Sequence, residues 1–355
     1  MHKQDTFFSE SLLNWYAENQ RDLPWRGTRD PYKIWLSEII LQQTRVAQGL
    51  PYYERFIERF PTVKQLAKAE EQEVLRLWQG LGYYSRARNL HACVRKVESE
   101  YGGIFPEGYA ELQKLPGIGK YTAAAIASFA FHESVPVVDG NVLRVLARYF
   151  GIAQDIGEAK NWSVFFSLAQ KQLGSFPPQI FNQAIMEFGA VQCKPGMPNC
   201  ETCPVRIGCY AAQEKQQLAL PVKVKKTKIR PRYFTYWLVQ NQEGEVAVQE
   251  RKDTDIWKGL YHFPLLETES LPKEEEVLKA LPAGLFIQEL PSGGSVSVSP
   301  VIKHVLSHQH LFIRFIHVKE ASVSQKGPWR WVNTEQLQEL PKPIVIDKYL
   351  QEYLF

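Results

Sequence analysis

Four of the five cysteines fall within seventeen residues, Cys193, Cys200, Cys203 and Cys209, in a C-x6-C-x2-C-x5-C arrangement. No basic region followed by an apolar run opens the chain, so neither secretion nor membrane insertion is expected, and metal ligation is favoured over a pair of disulfides. By count, four thiolates suit zinc and an iron-sulfur cluster equally. The spacing favours a [4Fe-4S] cluster, because zinc sites usually draw on two tight pairs and this segment has one tight pair between wider gaps. Cys93 stands alone in a helical stretch and reads as a small buried hydrophobe.

Two carboxylates come next. Glu38 lies in PYKIWLSEIILQQTRV, where its helical neighbours three and four positions away are Ile34, Trp35, Leu41 and Gln42. Three of those four are apolar, so its carboxyl is expected against a buried face, where desolvation raises its pKa and lets it donate a proton near neutrality. Asp139, in PVVDGNVLRVLARY, precedes a helical run and reads first as an N-cap, a position that keeps a carboxylate ionised. Between the two acids, LPGIGKYTAAAIASFAF sets Pro116-Gly117-Ile118-Gly119 before an alanine-rich helix. The glycines allow a tight turn and the helix start offers N-H groups to a phosphate, although such a turn also serves as an ordinary helix connection. Ala123, Ala124, Ala125 and Ala127 suit close helix packing.

These groups must be carried by two cores, since 355 residues exceed one domain of roughly 150 to 200 residues. With 45% hydrophobic and 23% charged residues the chain is globular rather than disordered, and a net charge of +4 does not by itself argue for nucleic acid. Up to about Pro221 the apolar residues recur every three or four positions, which predicts an all-α domain. After Arg232 the period becomes two, in FTYWLVQ, EVAVQER and HLFIRFIHV, with a helix in WVNTEQLQEL, which predicts an α+β domain. Between them Lys223 to Arg232 holds six basic side chains and no acid, a solvated linker that could also touch phosphates along DNA.

Together the cysteine spacing, the hairpin and the downstream Asp139 resemble the helix-hairpin-helix DNA glycosylases of the endonuclease III superfamily. LPWRGTRDPYKIWLSEIILQQTRV, GLGYYSRARNL, VDGNV and FNQAIMEFGA bring the resemblance closer to the MutY-type adenine DNA glycosylases, over residues 8 to 220. The implied organisation is a helix-hairpin-helix glycosylase domain over 1–220 with the [4Fe-4S] loop at about 190–212, a basic linker over 221–232, and a Nudix-like domain over 233–355. In the lyase branch of the superfamily a lysine nucleophile follows the hairpin; here that position is Tyr121, and Lys120 lies one residue early. The resemblance therefore implies a monofunctional enzyme of base excision repair that releases adenine paired with 8-oxoguanine or guanine. It would act on duplex DNA as a cytoplasmic, DNA-associated monomer.

By the same resemblance Glu38 is the general acid, Asp139 stabilises or traps the sugar cation, and Tyr121 and Asn141 orient them. Arg21, Trp25, Arg26, Leu41 and Gln183 match the adenine pocket. Gln43 and Tyr83 match residues inserted into the base stack, and Thr44 and Leu81 match contacts near the opposing base. Gly117, Gly119, Lys120 and Lys194, with Arg206, are the phosphate candidates. In the C-terminal part WKGLYHFPLLE carries the Nudix likeness, while the R-E-x-x-E-E-like metal motif of Nudix hydrolases is missing and LLETESLPKEEEVLKALPAG reads as a solvated helix face. LSHQH matches the loop that senses the oxidised guanine through Ser307 and His308, with Leu306 where Phe is common. Three other readings remain: an oxidised-pyrimidine glycosylase with lyase activity, a non-catalytic iron-sulfur protein that scans DNA, and a nucleotide-pool hydrolase resting on the C-terminal part alone.

Overall fold

The structure, a computed structural model, describes residues 3–224, 229–252, 254–273, 276, 287–289, 296–323 and 328–354. Lys225, Lys226 and Lys228 of the basic segment and most of the acidic run after Pro272 lie outside the described residues. The chain divides into two compact units, residues 1–68 with 89–225, and residues 69–88 with 226–355. No helix among the described residues is long and apolar enough to cross a membrane.

The first unit is helical, as the three-to-four periodicity predicts. Its elements are α1 (Lys3–Asn19), α2 (Pro31–Leu41), α3 (Val46–Arg59) and α4 (Val63–Lys68), then α7 (Tyr109–Leu112), α8 (Lys120–Phe131), α9 (Gly140–Phe150), α10 (Trp162–Leu173), α11 (Pro178–Val191) and α12 (Tyr210–Gln213). Helix α5 (Glu71–Leu77) belongs to the second unit, and α6 (Ser85–Tyr101) begins there. Phe8 and Leu12 of α1, Val142 and Leu146 of α9, Phe165 and Leu173 of α10 and Phe181 and Phe188 of α11 form one buried core. Helix α8 packs on α2, α7 and α11, and its Ala123, Ala124, Ala125 and Ala127 are all buried, small side chains that suit a close approach of helices.

The second unit is built on β1 (Arg230–Asn241), β2 (Val246–Glu250), β3 (Tyr261–His262), β4 (Leu265–Thr268), β5 (Ile287–Glu289), β6 (Val296–Val298), β7 (Ile302–Val305), β8 (Gln309–Val323) and β9 (Arg330–Val332), a mixed sheet in the order β3-β2-β1-β8-β5, with β4 on β1, β6 and β7 on β8, and β9 on β2. Its long central strands, β1 (Arg230–Asn241) and β8 (Gln309–Val323), run parallel, with Trp237 opposite Ile316. Phe234 to Val239 are buried without a break, because both faces of this strand are covered, so the two-residue period disappears at the centre. Trp237, Val239, Ile316 and Val318 make one core, while Phe315 stacks on Tyr349 with ring centroids 3.9 Å apart. Arg230 and Arg232, grouped by charge with the linker, fall within β1, and Arg232 is turned inward and buried.

Candidate active site

Helix α2 starts with Asp30, whose carboxylate accepts from the Tyr32 N-H at 2.9 Å, and with Pro31 at its first position, so its phase is set before the apolar run begins. That phase buries Ile34, Trp35 and Glu38 together. Glu38 is only 7% exposed and accepts a 2.5 Å hydrogen bond from the Tyr121 hydroxyl at the start of α8. Burial pushes its carboxyl up to about 7, and the charge of Asp139 adds to the rise, while the Tyr121 hydrogen bond and Arg26 oppose it. Tyr121 is itself raised well above the ordinary phenol by burial and by both acids, so it stays neutral and donates.

Asp139 caps α9: one carboxylate oxygen accepts from Val142 N at 2.7 Å and the other from Asn141 Nδ2 at 2.9 Å. The cap is the one the sequence predicts. Burial moves the carboxyl above the usual aspartate range, against the pull of the Val142 and Asn141 donors and of Arg144. Arg144 donates to Asn141 Oδ1 at 2.8 Å and to the Gly189 carbonyl at 2.7 Å, which holds the amide in position. Gly189 of α11 is needed for this approach, since a Cβ there would lie 2.7 Å from Asn141 Cβ.

Glu38, Asp139, Tyr121 and Asn141 line one cavity of about 410 Å³, together with Arg21, Trp25, Arg26, Leu41, Thr44 and Gln183. Trp25 stands edge-on to Tyr53, with centroids 5.1 Å apart, and Gln183 accepts from the Tyr16 hydroxyl at 2.7 Å. Gln43, just outside, is exposed with φ of 55°, a left-handed conformation that L-residues seldom adopt. At the hairpin Gly117 has φ of +74° and a Cβ there would meet Asn89 at 2.8 Å, so both conformation and space require glycine. Gly119 is the N-cap of α8 and supplies no side chain to that helix start, leaving its N-H face to a ligand. The Lys120 ammonium lies 4.3 Å from the centre of the Trp162 ring, a cation-π contact the sequence did not indicate.

The four clustered cysteines are free thiols that line one small cavity against Val145, Arg148 and Tyr149. Among the described residues no group of three or more His, Cys, Asp or Glu converges on a single ion. Arg148, 3% exposed, donates to Cys193 Sγ at 3.4 Å and to the carbonyls of Lys194, Gly196, Gln217 and Leu220, so one guanidinium fastens both ends of the cysteine segment. Lys194 and Arg206 are exposed beside it.

In the second unit Ser307 and His308 are exposed and line a 570 Å³ pocket with Leu81, Tyr83, Trp257 and His304. Tyr83 has φ of 47° and its hydroxyl is hydrogen bonded to Ser307 Oγ. Thr44, grouped with Leu81 by the resemblance, lines the other cavity.

Residues 36–162 match the HhH-GPD superfamily of base excision DNA repair proteins, and residues 235–352 match the NUDIX domain. The adenine DNA glycosylase of Buchnera aphidicola subsp. Baizongia pistaciae is 33% identical over 344 residues, covering 95% of this chain and 94% of its own. The chain belongs to the adenine DNA glycosylase family. The adenine DNA glycosylase of Mus musculus is 35% identical over 405 residues, 98% of this chain and 78% of that one. Among solved structures a thermostable thymine-DNA glycosylase aligns at a TM-score of 0.56 and 30% identity, over 60% of this chain and 98% of its own.

The cavity holds one further conspicuous group that the motifs do not mark. Glu187, with its side chain 1% exposed, is gripped by Arg21 at 2.5 and 2.6 Å and by Arg26 at 2.7 Å, and lines the cavity. Although burial works against ionisation, the two guanidinium groups hold its carboxyl down at about 2. It follows Gln183 by four positions on α11, so the helical period alone could have placed it on the same face. Asn182, fully buried, donates to the Ser128 hydroxyl and the Val135 carbonyl and accepts from Val137 N, which fixes the strand-like segment that leads into Asp139.

Proposed function

We propose that the chain is a monofunctional DNA glycosylase that hydrolyses the N-glycosidic bond of adenine mispaired with 8-oxoguanine or guanine in duplex DNA, leaving an abasic site. The observation that carries this is the pairing of two carboxyl groups in one cavity, Glu38 raised to about 7 by burial and Asp139 held by three donors, with Tyr121 where a lyase would need its lysine. A flipped adenosine enters the cavity of about 410 Å³, with Trp25 and Leu41 as walls and Arg26 and Gln183 as polar contacts. Protonated Glu38 gives its proton to N7 of adenine, and the C1′–N9 bond breaks with its electron pair leaving on the base. The Asp139 carboxylate faces the oxocarbenium ion that remains, and water adds to C1′ as Glu38 takes back a proton. Tyr121 and Asn141 hold the two carboxyls, Arg21 and Arg26 act through Glu187, and Gln43 and Tyr83 offset the cost of unstacking.

Cys193, Cys200, Cys203 and Cys209 would hold a [4Fe-4S] cluster, whose part is structural. The donor set supports this: four thiols line one cavity, and Arg148 is an N-H donor to the Cys193 sulfur. Backbone N-H groups at Gly117 to Lys120, with Lys194, take DNA phosphates. Ser307 and His308, in a Nudix-like domain over 233–355, read the base opposite adenine.

The test is a duplex with one adenine opposite 8-oxoguanine, incubated with the wild-type protein or Glu38→Gln and analysed before and after hot alkali. Cleavage that needs alkali and is lost in the variant is the expected result. Strand breaks without alkali would show lyase chemistry and overturn the role given to Tyr121.

A further inference from the structure

Among the described residues of the second unit, the densest ionic arrangement surrounds Arg232, only 7% exposed in β1. Each of its five N-H donors has an acceptor. Nε and one terminal nitrogen take both oxygens of Glu267 at 2.7 Å, the two terminal nitrogens take both oxygens of Asp255 at 3.0 and 2.7 Å, and the fifth bond goes to Gln309 Oε1 at 3.1 Å. Arg251 adds a second cation on Asp255 at 2.6 Å, so two guanidinium groups meet two carboxylates and the buried charge is balanced.

The partners are not scattered. Glu267 lies on β4 (Leu265–Thr268), which pairs with β1 and serves as a fixed post. Asp255 belongs to the segment Thr254 to Trp257, which forms one rim of the 570 Å³ pocket. Gln309 directly follows His308 and ends the turn between β7 (Ile302–Val305) and β8, closed by Leu306 N to the Gln309 carbonyl at 2.8 Å. The strand carrying Arg232 also touches that turn through its backbone, Arg230 N to the His308 carbonyl at 3.1 Å. One planar guanidinium thus joins both rims to the sheet. Lysine has a single ammonium and could not span three partners in this geometry.

We infer that Arg232 is a positioning residue for recognition of the base opposite adenine, acting through Gln309 on the Ser307–His308 turn and through Asp255 on the facing rim. The inference rests on the reading of that turn as the sensor of oxidised guanine. A turn fixed in advance loses less conformational freedom when it meets the base, so the discrimination belongs to the arrangement as well as to Ser307 and His308 themselves.

Gln309→Leu isolates the effect, because it cuts the link to the turn and leaves both ion pairs. Single-turnover excision of adenine is measured with the full chain opposite 8-oxoguanine and opposite guanine, alongside the thermal midpoint. For wild type the ratio of the two rates should favour 8-oxoguanine; in Gln309→Leu it should fall by about tenfold, as loss of one charge-assisted hydrogen bond implies. The rate opposite guanine and the midpoint should hold, and Gln309→Glu, which keeps an acceptor for Arg232, should restore the ratio. An unchanged ratio in Gln309→Leu overturns the inference. So does a ratio that falls only with the midpoint and is not restored by Gln309→Glu. A wild-type protein that shows no preference for 8-oxoguanine would instead overturn the underlying reading of Ser307 and His308.

Discussion

Replacing Glu38 by glutamine should stabilise the protein, and by more as the pH rises. The folded state lifts this carboxyl from 4.5 to about 7, chiefly by burial. Between those values the native chain holds a proton that the unfolded chain has already released, so stability falls as pH rises through that window. At about 1.4 kcal/mol per pH unit the wild type has lost roughly 3 kcal/mol by pH 8 from this group, and a little under 1 kcal/mol by pH 5. Glutamine keeps the shape and can still accept from Tyr121 but cannot ionise, so the stability gap between Glu38→Gln and wild type should widen by about 2 to 3 kcal/mol from pH 5 to pH 8. Urea unfolding of both full-length proteins at the two pH values measures it, since contributions from the second unit are common to both and cancel. The same substitution should abolish excision, so activity and stability are expected to move in opposite directions at one residue. A gap that stays constant with pH would refute the assignment of a raised, buried carboxyl.

Tyr121→Phe removes the hydrogen bond that opposes the rise of the Glu38 carboxyl, so the alkaline limb of the single-turnover rate should move up by about one pH unit; a limb that stays in place would show that the phenol does not set this proton. At Gln43, where φ is 55°, Gln43→Gly should be more stable than Gln43→Ala by about 1 kcal/mol, the reverse of the usual order, while both slow excision. Equal stabilities would mean that the left-handed backbone is absent in solution. Arg148→Met leaves four carbonyls and the Cys193 sulfur without their common donor and should weaken metal retention roughly tenfold or more, read as iron per chain after purification. Full iron retention would show that this staple is dispensable.

Local rules carried the helical unit far. Helix α8 covers Lys120–Phe131, the segment whose alanine pattern predicts it, and α9 begins at the cap expected of Asp139. Glu38 was legible as a buried acid because its apolar neighbours lie one helical turn away on the same helix, so no distant contact was needed. Glu187 was not. Its low carboxyl depends on Arg21 and Arg26, more than 160 positions earlier, and no local pattern records such a meeting. Asp139 shows the same limit: its N-cap can be read locally, but the desolvation that raises its carboxyl comes from packing.

Arg232 marks the same boundary from the other side. As one of six basic residues within the ten of Lys223 to Arg232 it reads as part of a solvated linker, and charge alone offers no reason to separate it from Lys223. Folding places it in a strand whose other face is covered, and two carboxylates from different segments make its burial tolerable. The sequence by itself determined the helical character of the first unit, the Asp139 cap, the glycine hairpin, the cysteine spacing and the change of period after Arg232, since each depends on residues a few positions apart. Only the tertiary structure decided which acids are protonated, which cations are paired and which loops share a pocket, because charge energetics depend on burial and on partners that the chain brings together from far along its length.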